Sequence, residues 1–335
     1  MRIATYNIEW FTNLFDRNGR LLEDGEWSSR YNVTRADQLG AIAIVLTALN
    51  ADVIMVIEAP DNNRRRQTVP MLELFAAHYG LRQRKALLGF ENDTQQEISL
   101  LYDPDVVTAR HAPAEGTPEA PRFDATLRID LDIDATMDVV TFSKPPLEVV
   151  LETPGGESLR LIGVHIKSKA PHGATSPEAA TRIAIENRRK QLAQCIWLRR
   201  RVEQHLDAGE RLIVLGDFND GPGLDEYEKL FGRSGLEIVA GEGGPPERRL
   251  RDPHARAAHA TSAAPASARF YLPERRRYFS AMLDYIMLSP DLCATAPDWR
   301  IWHPFDDPVC YRTPELREAL LQASDHFPVS VDISL

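Results

Sequence analysis

Short runs rich in valine, isoleucine and leucine recur at residues 3–8, 53–57, 98–102, 147–151, 159–165, 212–215, 285–288 and 329–333. Runs of that length without strict alternation predict strands buried on both faces. Two intervening stretches change period. Over residues 34–50, Leu39, Ile42, Leu46 and Leu49 fall on one helical stripe, and Asn50 can close the C-terminus. Over residues 177–206 a longer helix is predicted, with Ser176 as N-cap, Pro177 at its first position and Ile185, Leu192, Ile196, Val202 and Leu206 as its apolar stripe. Residues 112–121, rich in Pro and Ala, predict a surface loop leading into a further strand at 127–133. Residues 241–268 carry Gly, Pro, Ala and Arg without a period and predict a long, protease-sensitive loop. The sequence contains no internal repeat.

Composition narrows the class. With 335 residues, 43% hydrophobic and 26% charged, the chain has the profile of an ordinary globular protein and not of a fibrous or disordered one. Its longest nearly unbroken apolar stretch, residues 41–49, falls well short of the roughly 20 residues that span a bilayer. Cys195, Cys293 and Cys310 are odd in number and far apart, which predicts free thiols and no zinc site. The opening Met1-Arg2-Ile3-Ala4-Thr5-Tyr6-Asn7 has no secretory pattern and leads to the expectation of a cytoplasmic protein. A net charge of −10 argues against coating of nucleic acid through many phosphate contacts. It leaves room for a local basic groove or a carboxylate cluster that holds metal.

Chemistry concentrates where the predicted strands end, since loops leaving a rigid sheet hold functional groups well. Asn7 and Glu9 close the first strand, and Glu58 closes the second. His165 and Lys167 follow the fifth, and Asp217 and Asn219 the sixth. Asp284 precedes the seventh, and Asp325 and His326 precede the last. The acidic run at Asp130 invites comparison with a calcium loop, but Ala135 stands where the turn needs Gly and Thr141 where the last ligand should be Glu. The Arg runs at 64–66, 199–201 and 275–277 fit solvated faces better than a nucleic-acid guide.

In this order, Asn7, Glu58, His165, Gly216-Asp217-Phe218-Asn219, Asp284 and Ser324-Asp325-His326-Phe327-Pro328 resemble the endonuclease/exonuclease/phosphatase superfamily of DNase I-like phosphoesterases. The resemblance implies an α+β four-layer sandwich, two packed mixed β-sheets flanked by helices. It also implies one domain over residues 1–335, because residues from both ends must converge on one site. An enzyme of this kind hydrolyses phosphoesters with Mg²⁺ or Mn²⁺, which oxygen ligands suit. Glu58, helped by Glu9 and Asp325, is the expected metal set; Glu9 departs from the family form, where Asp is common. Asn7 and Asn219 would orient phosphate oxygens or water, Asp217 would align or deprotonate that water, and Lys167 would meet the substrate. Asp284 would fix the ring of His326, while His165 would contact phosphate or protonate the leaving oxygen; which histidine is acid and which is base stays open.

The His165-Ile166-Lys167-Ser168-Lys169 run is similar to bacterial nuclease-like members, and residues 182–211 hold eight Lys or Arg against four Asp or Glu. A nuclease-type phosphodiesterase acting on nucleic acid is therefore the leading expectation. A phosphatase or phosphodiesterase for a small or lipid-derived phosphoester suits the acidic charge, and an inactive binding module on the same scaffold is the alternative from another class.

Overall fold

The computed structural model describes all residues except 93, 132–136, 172, 222–231, 258–264 and 273–275. In chain order the strands are β1 (Arg2–Asn7), β2 (Val53–Ala59), β3 (Lys85–Leu88), β4 (Glu97–Tyr102), β5 (Thr108–His111), β6 (Leu127–Ile129), β7 (Asp138–Val140), β8 (Leu147–Glu152), β9 (Ser158–His165), β10 (Leu212–Asp217), β11 (Ala268–Leu272), β12 (Arg277–Ala281), β13 (Asp284–Leu288), β14 (Asp298–Ile301) and β15 (Val329–Asp332). One sheet runs β14-β15-β1-β2-β4-β3, the other β13-β10-β9-β8-β5. Each has a single parallel pair at its centre, β1 with β2 and β9 with β10, and antiparallel neighbours outside it. A parallel pair needs a crossover, and here each crossover contains one of the two anticipated helices, Arg35–Leu49 and Pro177–Asp207.

Burial on both faces explains the unbroken apolar runs. Ile3, Val53, Met55 and Ile57 pack into the core shared with the second sheet, whereas Ala4, Tyr6, Ile54 and Val56 pack outward with Leu39, Ile42 and Leu46 of the first helix and Leu316 and Leu320 of the helix Pro314–Ala323. The result is the expected four-layer sandwich. The sheets approach so closely that a Cβ on Gly163 would lie 2.3 Å from the Met55 sulfur. Thr34 and Asp37 form a reciprocal cap on the first helix, and Asn50 ends it in the left-handed conformation.

The long helix departs from its predicted stripe. Ile185, Ile196 and Leu206 are only partly buried, while Arg188, Gln191, Gln194, Arg201 and His205 lie inside. Each of these polar groups has work on the buried face. Gln191 Nε2 donates to the carbonyl of Asn219 at 2.9 Å, Gln194 Oε1 accepts from the Lys167 amide at 2.9 Å, and Arg201 donates to the carbonyls of Glu115, Ala120 and Pro121. Arg201, with Arg199 and Arg200, thus staples loops and does not form a solvated face. Most of the helix's basic excess is likewise spent within the protein, in pairs such as Arg188 with Asp220 at 3.1 Å and Arg189 with Asp138 at 3.1 Å.

Part of the segment 241–268 is tied to the second sheet. Arg251 pairs with the edge of β13 at Leu288, and Asp252 accepts from the Ile286 amide at 2.8 Å, so an open strand edge supplies the order that composition does not. Residues 258–264, with His259, lie outside the described residues, as do 132–133 of the strand anticipated at 127–133 and Arg275 of the third Arg run.

Gly216 precedes Asp217 with φ at 138°, and a Cβ there would lie 2.0 Å from the Val164 carbonyl oxygen. Backbone cannot yield as a side chain does. Gly216→Ala is expected to lower the unfolding free energy by about 2 kcal/mol or more in urea melts, through strain and clash together.

Candidate active site

The carboxyl ends of both parallel pairs meet at one edge of the sandwich. There β1 delivers Asn7, β2 Glu58, β9 His165 and β10 Asp217, and Asp284 opens β13 directly opposite Asp217. The loop before β15 closes the ring. Ser324 Oγ donates to the Asn7 carbonyl at 2.8 Å and accepts from the amides of Glu9 and His326, which anchors Asp325 and His326 to the end of β1. Four non-glycine residues at this edge adopt positive φ: Trp10 at 55°, Glu58 at 61°, Gln96 at 71° and Asn219 at 50°. For Glu58 the cause is a bulge between β2 and β4 that shifts the register between Ile57 and Ala59 and turns its side chain out of the strand alternation. Such conformations cost on the order of 1–3 kcal/mol and collect where function holds them.

Asp217, Asp284 and His326 form the one set of three ligand-type side chains among the described residues whose donor atoms all lie within 4.8 Å. His326 Nδ1 is 2.7 Å from Asp284 Oδ2, which also accepts from Ser267 Oγ at 2.7 Å. Burial disfavours the charged ring, but the carboxylates of Asp284, Asp217 and Asp325 overcome it and hold the His326 pKa well above its ordinary value. Asp217 accepts from the Asn219 amide at 2.8 Å and from the side-chain amides of Asn7 and Asn219, each at 3.1 Å. Burial pushes its carboxyl up to about 7 against the pull of His326.

His165 behaves in the opposite way. Its Nε2 stands 3.5 Å from Asp217, and Nδ1 stands 3.4 Å from the ammonium of Lys144, a residue the sequence reading missed. Burial first, then the charges of Lys144, His326 and Lys167, hold its pKa well below the ordinary histidine range. Lys144 also donates to Gln96 Oε1 at 3.0 Å, and Gln96 Nε2 in turn holds Glu58. The one signal for Lys144 was its place before Pro145-Pro146 at the entry to β8. Ser267 was missed because it fell in the segment read as loop. Lys167 lies within electrostatic range of His165 and Lys144, whereas Lys169 turns to Asp220 at 3.2 Å.

The three carboxylates expected to hold metal do not gather within 4.8 Å as a set. Glu9 leaves the strand line at the end of β1 and pairs with Arg30, and Glu58 is held by Gln96. They share an electrostatic field nonetheless. Burial, then the charge of Asp325, pushes Glu9 up to about 7, and burial raises Glu58 against the opposing pull of Lys144 and His326. Asn7 and Asn219 also differ from the expected donors to phosphate. Their NH₂ groups are engaged with Asp217, and Asn219 donates to the Ile166 carbonyl as well. Asn7 is left with a buried, unpartnered Oδ1, an acceptor.

A family model described as Endonuclease/Exonuclease/phosphatase family matches residues 4–326. No curated protein sequence matches the chain. Among solved structures, TDP2 from Caenorhabditis elegans is similar with a TM-score of 0.52 and 14% identity, over 100% of this chain and 74% of that one. A humanized D. rerio TDP2 is similar at a TM-score of 0.50 and 13% identity, over 100% and 99% of the two chains. The 3′ phosphatase NExo from Neisseria, bound to a product DNA hairpin, is similar at 0.50 and 14%, over 100% of both chains.

Two measurements check the electrostatics of the site. In metal-free protein at neutral pH, nitrogen NMR is expected to find His326 protonated and His165 neutral, and Asp284→Asn is expected to bring the His326 titration down toward the ordinary range. Lys144→Met is expected to raise the pKa of His165, because the largest nearby positive charge is removed. An unmoved His165 titration contradicts the part assigned to Lys144.

Proposed function

Because the chain belongs to the Endonuclease/Exonuclease/phosphatase family, whose members are hydrolases of phosphoester bonds, we propose that it is a nuclease-type phosphodiesterase that works with Mg²⁺ or Mn²⁺. The observation that carries this reading is the convergence of Asp217, Asp284 and His326 within 4.8 Å, with His165 3.5 Å from Asp217, in surroundings that push His165 toward the neutral form and His326 toward the charged one. In-line hydrolysis of a phosphodiester needs a group to align and deprotonate water, positive charge for the phosphoryl oxygens and a proton for the leaving oxygen. Three neighbouring side chains supply these in different protonation states.

Asp217, steadied by Asn7 and Asn219, takes the proton of the attacking water. A carboxyl pushed up to about 7 is well matched to that transfer near neutrality. His326, charged and fixed by Asp284, provides the proton and the stabilising charge. His165 accepts from Lys144 at Nδ1, so its own proton sits on Nε2 and serves as a neutral hydrogen-bond donor to a phosphate oxygen. Lys144 and Lys167 add positive charge beside it. We assign Asn219 a positioning part, since its amide is spent on Asp217 and Ile166.

The donor chemistry fits a hard cation. Glu58, Glu9 and Asp325 would supply carboxylates and the orphaned Oδ1 of Asn7 a neutral oxygen, and burial raises Glu58 and Glu9 despite the positive charges of Lys144 and Arg30 beside them. When bound, such a cation offsets the repulsion between carboxylates and substrate and polarises the phosphoryl group. We read residues 1–335 as one domain, since Asn7 and His326 share a site. Nucleic acid is the favoured substrate because the positive charge beside His165 is local, in a chain whose net charge of −10 suppresses indiscriminate binding. NExo shows that DNA can occupy this fold.

The test is turnover by purified protein with Mg²⁺ or Mn²⁺ on single- and double-stranded DNA, RNA, sphingomyelin, inositol phosphates and a generic diester. Cleavage of DNA or RNA is expected; turnover confined to a lipid or small phosphoester overturns the nuclease reading, and none at all favours a binding module. Glu58→Gln is expected to weaken Mg²⁺ affinity, measured calorimetrically, and to remove most activity with an unchanged melting temperature.

A further inference from the structure

We propose that the β11–β12 hairpin is a stacking arm that holds single-stranded nucleic acid against the active site. The proposal rests on the phosphodiesterase reading above and adds the form of its substrate. The hairpin grows directly out of the catalytic edge. Ala268 bridges to His326, the Arg269 amide donates to the Asp325 carbonyl at 2.7 Å, and the Phe327 amide donates to the Ser267 carbonyl at 2.6 Å. Beyond that root the two strands pair only with each other among the described strands.

A two-stranded ribbon has no sheet face to bury, yet this one is built of aromatic rungs. Phe270 faces Phe279 with ring centres 5.5 Å apart, and Tyr271 faces Tyr278 at 5.3 Å. Tyr271, Tyr278 and Phe279 remain 49%, 55% and 42% exposed. Rings left in water on a free-standing ribbon are surface for a partner and not core. Charge identifies the partner. Residues 268–281 contain four Arg and one Glu, in a chain of net charge −10. By strand alternation Arg269, Tyr271 and Tyr278 share one face, and the Arg269 guanidinium lies 3.8 Å from the Tyr278 ring centre and 5.3 Å from that of Phe305.

Guanidinium groups interleaved with exposed rings match a strand of phosphates and unpaired bases, which offer π-faces that a duplex keeps stacked internally. Most basic groups of the long helix that might have gripped a duplex are spent on internal contacts. An anionic bilayer is the competing occupant for such a surface and is separated by experiment.

Fluorescence anisotropy of labelled single-stranded and duplex oligonucleotides, with full-length protein in EDTA, reads binding apart from turnover. Single strands are expected to bind more tightly than the duplex. The double variant Tyr271→Ala with Tyr278→Ala is expected to weaken that binding on the order of tenfold or more, while Tyr271→Phe with Tyr278→Phe retains it because stacking needs only the ring. Turnover of bis(p-nitrophenyl) phosphate is expected to be unchanged in both variants. Equal single-strand binding by wild type and the alanine variant overturns the arm, as does loss of small-diester turnover in both, which would make the hairpin structural. Binding of phosphatidylserine vesicles without oligonucleotide binding overturns it in favour of a membrane. Ring-dependent binding by a protein that cleaves no phosphodiester supports the arm and overturns the function, so the two failures are distinguishable.

Discussion

Asp217 sits where the two sheets meet, and its carboxylate is almost wholly removed from water. An isolated buried anion of this kind costs several kcal/mol, and the surrounding architecture reads as a means of holding it. Donors arrive from two elements, Asn7 from the other sheet and the amide and side chain of Asn219 from the following turn, while the His165 ring of the neighbouring parallel strand stands 3.5 Å away. That turn is fastened by Gln191 of the long helix, so a helix on the far layer fixes the active edge through its own buried polar face. The polar interior of that helix is therefore not a packing defect. It is the route by which the outer layer fixes the geometry of the candidate site.

The same crowding separates the two histidines. His326 faces three carboxylates, whereas His165 is governed by burial and by the charges of Lys144 and His326, so the surroundings push one residue type in opposite directions within one cleft. No residue-by-residue propensity contains this difference. It is a property of neighbours brought together from residues as distant as 144, 217 and 326.

What the sequence discloses and what it conceals divide along physical lines. The central strands are legible because burial on both faces demands unbroken apolar runs, and Asn7, Glu58, Asp217, Asp284 and His326 are legible because each lies at such a run's end. Short edge strands such as β3, β5 and β14 are not, since half-exposed positions carry no distinctive period. The helix stripe misleads because hydrogen-bonded Gln and Arg pack inside as readily as Leu once their partners are present, and those partners are loop carbonyls that no local window contains. Ser267 lies outside any run end and is recognisable only through what it touches, and Lys144 carries only the weak signal of its place before Pro145-Pro146. The bulge at Glu58 is equally silent in sequence, though it decides where that carboxylate goes.

One consequence concerns the order in which the chain becomes competent. β1 pairs with β15, the Met1 ammonium donates to the Ile333 carbonyl, and Asn7 shares its cleft with His326. Contacts of that sequence separation carry a large loop-closure cost and form late. During folding the first sheet therefore waits, with one flank of β1 unpaired, until β15 is in place. Until β15 docks, His326 is not held beside Asp284 and Asp217. In a hydrolase of phosphoester bonds, topology thus withholds the complete cluster from any partly folded chain whose first and last strands have not met.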